Sequence, residues 1–181
     1  FVQMNYSQLN LTESLFKGLE DAGYTKCTPV QEKVLAVSLS GNDLYVQSQT
    51  GTGKTAAFLV TIIEQLLKKS DGKNALILVP TRELAVQVEK EAKKLTKYTQ
   101  LKTASFFGGV GYEKQVEALK NGIDILIGTP GRLLDLQESK KLNLDKTAFL
   151  AIDEADRMFD MGFYPDLRKI LGFLPDSSSR Q

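Results

Sequence analysis

Few sequence features restrict a fold as tightly as an apolar strand that ends in a glycine-rich loop and runs straight into a helix. The segment Ser48-Gln49-Thr50-Gly51-Thr52-Gly53-Lys54-Thr55 has this setting. Leu44-Tyr45-Val46 before it reads as a buried strand, and Ala56 to Ile63 after it reads as the start of a helix. Such a turn lets the backbone N–H groups from Thr50 to Gly53 point into one concavity, which the positive end of the helix dipole also faces. Lys54 adds a mobile cation for β- and γ-phosphates, and Thr55 offers a hydroxyl to Mg²⁺. A nucleoside triphosphate is the first ligand this implies. The usual phosphate-loop pattern begins with Gly where this chain has Ser48. The alternative is a flexible Gly/Thr-rich turn with no ligand.

Composition narrows the chemistry. The 181 residues suffice for one domain with a core, and a formal net charge of +1 gives no bulk attraction to nucleic acid, so any such site must be local. There is no histidine, which removes His-ligated zinc and His general-base catalysis. Carboxylates and a metal ion must then carry acid–base and charge work. Cys27 is the single cysteine, so no intramolecular disulfide forms, and a reducing, cytoplasmic setting is expected. No membrane-length apolar run and no secretory signal are visible. Met4 is the expected natural start.

Apolar runs alternate with helical patterns. Ala75–Val79 ends at Pro80, Lys102–Phe107 at Gly108-Gly109, Ile123–Ile127 at Gly128-Thr129-Pro130-Gly131, and Phe149–Ile152 at Asp153-Glu154. Helices are predicted at about 56–69, 82–97, 111–121, 131–137 and 162–172. Strands with continuous apolar character, separated by helices, predict an α/β fold with a parallel sheet and ligands at the strands' carboxyl ends. Before the first strand, 11–22 and 30–39 read as amphipathic helices, the former with Thr12 as N-cap. Lys68-Lys69 and Lys90–Lys97 read as solvated helix faces, and Met158, Phe159, Met161 and Phe163 as packing residues.

Asp153-Glu154-Ala155-Asp156 follows an apolar strand. Asp153 there can hold Mg²⁺, directly or through water, and Glu154 can polarise the attacking water. The alternative is acidic capping of the helix that follows.

These segments, in this order, resemble the first RecA-like domain of a DEAD-box RNA helicase, a superfamily 2 ATPase. Gly23 to Gln31 resembles the Q motif, Ser48 to Thr55 motif I, and Pro80-Thr81-Arg82-Glu83-Leu84-Ala85 motif Ia. Gly108-Gly109 and Thr129-Pro130-Gly131-Arg132 are similar to the Ib-region motifs, and Asp153 to Asp156 to motif II. The resemblance implies a RecA-like three-layer α/β/α sandwich with a mainly parallel central sheet. Residues 1–40 would form a helical segment carrying the Q motif, within the same domain as an ATP-binding core at 41–181. It implies ATP and Mg²⁺ as cofactors. Thr50, Gly51, Thr52, Gly53, Lys54 and Thr55 would hold the phosphates, with Thr55 and Asp153 on the metal. Lys54, Asp153 and Glu154 would be the catalytic set. Tyr6, Tyr24 and Gln31 would meet the base, with Gln31 reading the adenine edge and Tyr6, where the family more often has Phe, stacking on it. Packing alone is the alternative for Tyr6, and a first-turn helix role for Gln31. Cys27 stands where the family usually has Pro.

RNA would lie, through its sugar-phosphate backbone and without sequence preference, on Thr81, Arg82, Gly109, Thr129, Gly131 and Arg132. Turn chemistry for the glycines and an ion pair for Arg82 are the alternatives. The resemblance further implies a following strand with Ser-Ala-Thr, seated between the motif I and motif II strands, and a second RecA-like domain. The expected whole is a monomeric ATP-dependent RNA helicase, of which this chain would be a fragment with negligible turnover of its own. An RNA clamp switched by ATP and a DNA-directed helicase are the rival readings.

Overall fold

A computed structural model describes residues 2–69 and 71–181. They cluster into two compact units, Phe1–Asp71 with Glu91–Gln100, and Gly72–Lys90 with Leu101–Gln181.

The first unit is helical. A 3-10 turn at Tyr6–Leu9 precedes α1 (Glu13–Asp21), α2 (Pro29–Ser38) and α3 (Lys54–Lys68). Leu15, Leu19, Leu35, Leu59, Val60, Ile63 and Leu95 form its apolar interior. Residues 44–46 correct the sequence expectation: they take no strand, and Leu44, Tyr45 and Val46 are all exposed. A strand is held by its ladder, and among the described residues none pairs with this run.

Thr12 does precede α1, but its side chain accepts nothing from the helix. The buried carboxylate of Glu64, on α3, takes the Thr12 backbone N–H at 2.9 Å and the Thr12 hydroxyl proton at 2.9 Å. An anion from a neighbouring helix thus satisfies the start of α1, as dipole and orphan amides favour. Charge-assisted bonds of this kind contribute about 1.5–3 kcal/mol each, so losing both in Glu64→Ala should lower the unfolding free energy by about 3 kcal/mol or more. Urea titration at constant m-value checks this, and a loss below about 0.5 kcal/mol would leave the cap without weight.

The second unit holds the sheet. Its elements are β1 (Asn74–Leu78), the start of α4 (Arg82–Leu95), β2 (Thr103–Phe106), α5 (Tyr112–Lys120), β3 (Ile125–Gly128), α6 (Pro130–Glu138), β4 (Thr147–Ile152), α7 (Ala155–Asp160) and α8 (Tyr164–Phe173). The order is β2-β3-β1-β4 and every pair is parallel, as the continuous apolar runs predict. Leu76, Leu78, Phe106, Leu126, Leu133, Met158, Leu167 and Ile170 share one core cluster, in which α6 packs on α8. Met158 and Phe163 pack as expected, whereas Phe159 and Met161 are about half exposed (52% and 48%). No described helix is long and apolar enough to cross a membrane.

On the side of β4 away from β1, Gln181 donates its N–H to Ala148 at 2.9 Å and accepts from Leu150 at 2.8 Å. Gln181 thus pairs along that edge of β4.

Candidate functional site

Three residues from one stretch organise the first unit's site. Thr28 caps α2 in a reciprocal box: its hydroxyl accepts the Gln31 N–H at 3.2 Å, and the Gln31 Oε1 accepts the Thr28 N–H at 3.0 Å. Pro29, at the first helical position, needs no donor partner. The same two side chains reach the glycine-rich loop. Thr28 donates its hydroxyl to the Thr52 carbonyl at 2.8 Å, and Gln31 donates Nε2 to the Gly53 carbonyl at 3.3 Å.

The loop itself has the backbone its sequence predicts. Gly51 (φ 82°) and Gly53 (φ 89°) occupy left-handed conformations that L side chains avoid, and α3 opens at Lys54. The loop is closed on itself. Lys54 donates Nζ to the Ser48 carbonyl at 2.7 Å, the Ser48 and Thr52 hydroxyls lie 2.8 Å apart, and Thr52 donates to the Gln49 carbonyl. Thr55 stands in the first turn of α3, half-buried.

Tyr6 is placed differently from expectation. It is fully buried, its hydroxyl donates to Gln31 Oε1 at 2.5 Å, and its ring meets Tyr24 edge-on at 5.9 Å. A ring with no exposed face cannot stack on a base, so the stacking expectation is corrected: burial of Tyr6 won over aromatic exposure. Burial, then Cys27 and Tyr24, push its phenol up, which keeps it a donor. Gln31 is also buried, at 3% exposure. Tyr24 is partly exposed, and its hydroxyl donates to Glu91; burial first, then that carboxylate, push its phenol up.

In the second unit, parallel topology gathers the remaining candidates at one end of the sheet. The ladder extends one residue past β1, β3 and β4: Val79 donates to Gly128, Thr129 to Phe106, and Asp153 to Leu78 at 2.9 Å. Those bonds fix where Thr81, Thr129 and Asp153 emerge. Gly128 is required there, since an added Cβ would sit 2.7 Å from the Phe106 carbonyl and 2.8 Å from Leu133.

Thr81 caps α4 by accepting the Leu84 N–H at 3.2 Å, which leaves its own proton to donate. Arg82 lies over the Phe107 ring at 5.2 Å, on the side where Gly109 (φ 80°) turns the chain. Arg132 donates to Gln115 at 2.9 Å and lies 5.4 Å over the Tyr112 ring, so α5 fixes its direction. Thr129 precedes α6 without a side-chain cap bond, and Gly131 is exposed at that helix start. Glu154 is, with Asn10 and Lys140, a described non-glycine in the left-handed region, at φ 52°, ψ 50°, and it holds the N-cap position of α7 without a side-chain cap bond. Its carboxylate meets Arg157 at 3.4 Å, an exposed pair of little energetic weight.

Thr28 and Ser48 were absent from the candidates read off the sequence. The Thr28-x-x-Gln31 spacing of a capping box was the available signal for the first; nothing local marked Ser48 as the Lys54 acceptor.

Residues 28–181 match the model of the DEAD/DEAH box helicase family. The chain is 45% identical over 186 residues to the ATP-dependent RNA helicase RhlB of Xanthomonas axonopodis pv. citri, covering 98% of this chain and 33% of that protein. It is 46% identical over 184 residues to the protein of the same name from Pseudomonas aeruginosa, covering 97% of this chain and 46% of that one. Among solved structures, a hypothetical ATP-dependent RNA helicase from Sulfolobus tokodaii superposes with a TM-score of 0.84 at 36% identity, over 94% of this chain and 48% of that one. The chain thus spans between about a third and a half of the length of these relatives. The likeness extends to the fold, an α/β arrangement of RecA-like type with a parallel sheet.

Proposed function

The chain belongs to the DEAD/DEAH box helicase family, and from that premise we propose that it is the first, ATP-binding RecA-like domain of an ATP-dependent RNA helicase. The observation that carries this reading is the loop at 48–55, in which Gly51 and Gly53 are left-handed and Lys54 opens α3, a backbone suited to presenting amides to an anion. Thr50 to Gly53 cradle the phosphates, Lys54 takes the β/γ oxygens, and Thr55 lends a hydroxyl. Gln31, buried and bonded to Thr28, Tyr6 and Gly53, has one amide N–H left and would read the base by opening from these partners, and Tyr24, partly exposed, is the aromatic that meets it. Glu154 orients the water that attacks the γ-phosphorus and takes up its proton.

Thr55 and Asp153 each offer oxygen donors, the ligand chemistry Mg²⁺ takes, and would be the residues that hold it. Among the described residues no group of three His, Cys, Asp or Glu side chains could hold a metal alone; oxygens of a bound nucleotide would supply further ligands. When bound, the ion neutralises charge on the transferring phosphoryl group.

RNA lies on Thr81, Arg82, Gly109, Thr129, Gly131 and Arg132. A hydroxyl, two cations and the amides at a helix start suit phosphate oxygens, which carry no sequence information. A second RecA-like domain in the longer protein supplies arginines and the rest of the RNA site. An arginine supplied in this way contributes roughly 10³–10⁵ in rate, so this domain alone turns ATP over negligibly. The reading extends to a cytoplasmic monomer in which ATP and RNA jointly close the two domains and separate a short duplex.

The test is ATP hydrolysis by the full-length protein with RNA, with DNA and with neither. RNA should raise the rate well above DNA, and Lys54→Ala should remove most of it. Equal stimulation by DNA would overturn the RNA assignment, and an unaffected Lys54→Ala rate would overturn the phosphate site.

A further inference from the structure

We propose that Tyr6 is a specificity-determining residue that sets which hydrogen-bonding groups Gln31 can offer a purine. The inference rests on the reading of Gln31 as the base-contacting residue and goes beyond it.

Backbone groups fix the orientation of the Gln31 amide. Thr28 N–H can only donate, so the atom 3.0 Å away is the amide oxygen; the Gly53 carbonyl can only accept, so the atom 3.3 Å away is the amide nitrogen. Tyr6, at 2.5 Å from that oxygen, must then be donating to it. An amide oxygen accepts about two hydrogen bonds and an amide nitrogen donates two. Both acceptor positions of Gln31 are taken, by Thr28 and Tyr6, while one N–H remains.

The consequence lies in the chemistry of the purine edge. Adenine presents an acceptor at N7 and a donor at its 6-amino group; hypoxanthine and guanine present acceptors at both places. A free N–H on Gln31 serves all three bases at N7. Only the amide oxygen distinguishes adenine, because only adenine has a proton to give it. The Tyr6 hydroxyl therefore competes with that amino group for the oxygen, and the base must displace it to be read there. Phenylalanine at this position would keep the ring and remove the competitor. Tyr6 thus holds Gln31 for the fold and, by the same bond, lowers the discrimination against 6-oxo purines.

The experiment compares ADP with IDP, which differ at the 6-position, in competition binding to the full-length protein and its Tyr6→Phe variant. One neutral hydrogen bond is worth about 1 kcal/mol, so the ratio of IDP to ADP dissociation constants should rise about fivefold in Tyr6→Phe. Site-specific 3-fluorotyrosine at position 6, a more acidic phenol and a stronger donor, should move the ratio the other way, and serves where Tyr6→Phe does not fold. An unchanged ratio in both variants, with ADP still bound and preferred, overturns the role of Tyr6 and leaves Gln31 as the base reader. ADP and IDP bound equally by every protein overturns Gln31 as reader as well. Absence of ADP binding by the parent protein removes the nucleotide reading and this inference together.

Discussion

Glu154→Gln in the full-length protein lowers RNA-stimulated turnover by about 10²–10⁴-fold while ATP affinity stays within a few-fold of the parent, if Glu154 works as a positioned base. The substitution keeps the side chain's size and an acceptor oxygen but removes its basicity. The backbone supports a specific outcome. Glu154 sits at φ 52°, ψ 50°, directly after an Asp153 amide bonded to Leu78 at 2.9 Å. Left-handed geometry in a non-glycine residue costs of order 1–3 kcal/mol and persists where the surroundings over-determine it. Glutamine bears the same strain, so stability should hardly change. The pair with Arg157, at 3.4 Å and largely exposed, contributes little and is not a reason for Glu at this position. Single-turnover hydrolysis and equilibrium nucleotide binding on the same preparation separate chemistry from affinity. Near-parent turnover would end the base assignment, and a parallel collapse of ATP affinity would make Glu154 a binding residue instead.

Strands and helices were legible where one local signal decided the element. The runs at 75–79, 123–127 and 149–152 each end at a proline, glycine or acid that terminates a buried strand, and β1, β3 and β4 form there within two residues of the predicted limits. Helix starts at Pro29 and Pro130 follow from the residue that tolerates a missing donor. The run Leu44-Tyr45-Val46 has the same apolar signature, yet a strand is made by its neighbour, and pairing is not a local property. Thr12 stands at the α1 N-cap as expected, but the group that bonds it is Glu64, 52 residues away in sequence, which no local spacing shows. The glycine positions of the loop were legible because only glycine accepts their dihedrals without strain. The direction of Tyr6 was not, because an aromatic ring serves a core and a base equally well until its environment is known. Its hydroxyl bond to Gln31 is a tertiary fact that no spacing reveals. The strain at Glu154 was likewise invisible, since left-handed geometry there has no compositional mark.

Gly53→Ala should weaken adenine nucleotide binding by about 100-fold, and Gly51→Ala by much less, although the two glycines have nearly the same φ. Both substitutions place a Cβ in a left-handed conformation, at about 1–2 kcal/mol. Only Gly53 has neighbours to collide with. A Cβ there would overlap Gln31 Nε2 and approach the Thr28 hydroxyl to 3.3 Å, whereas at Gly51 nothing lies within 4 Å. Gly53→Ala therefore strains the loop and also pushes Gln31 off the Gly53 carbonyl, disturbing phosphate amides and base reader in one step. Strain of 1–2 kcal/mol together with about 1 kcal/mol for the lost bond accounts for roughly two decades in affinity. A double-mutant cycle isolates the collision. In a Gln31→Ala background the Cβ has room, so the affinity lost on Gly53→Ala should shrink to the loss seen for Gly51→Ala. Equal losses in both backgrounds would mean that the loop strains alone, and that the bond from Gln31 to Gly53 does not couple the base to the phosphates.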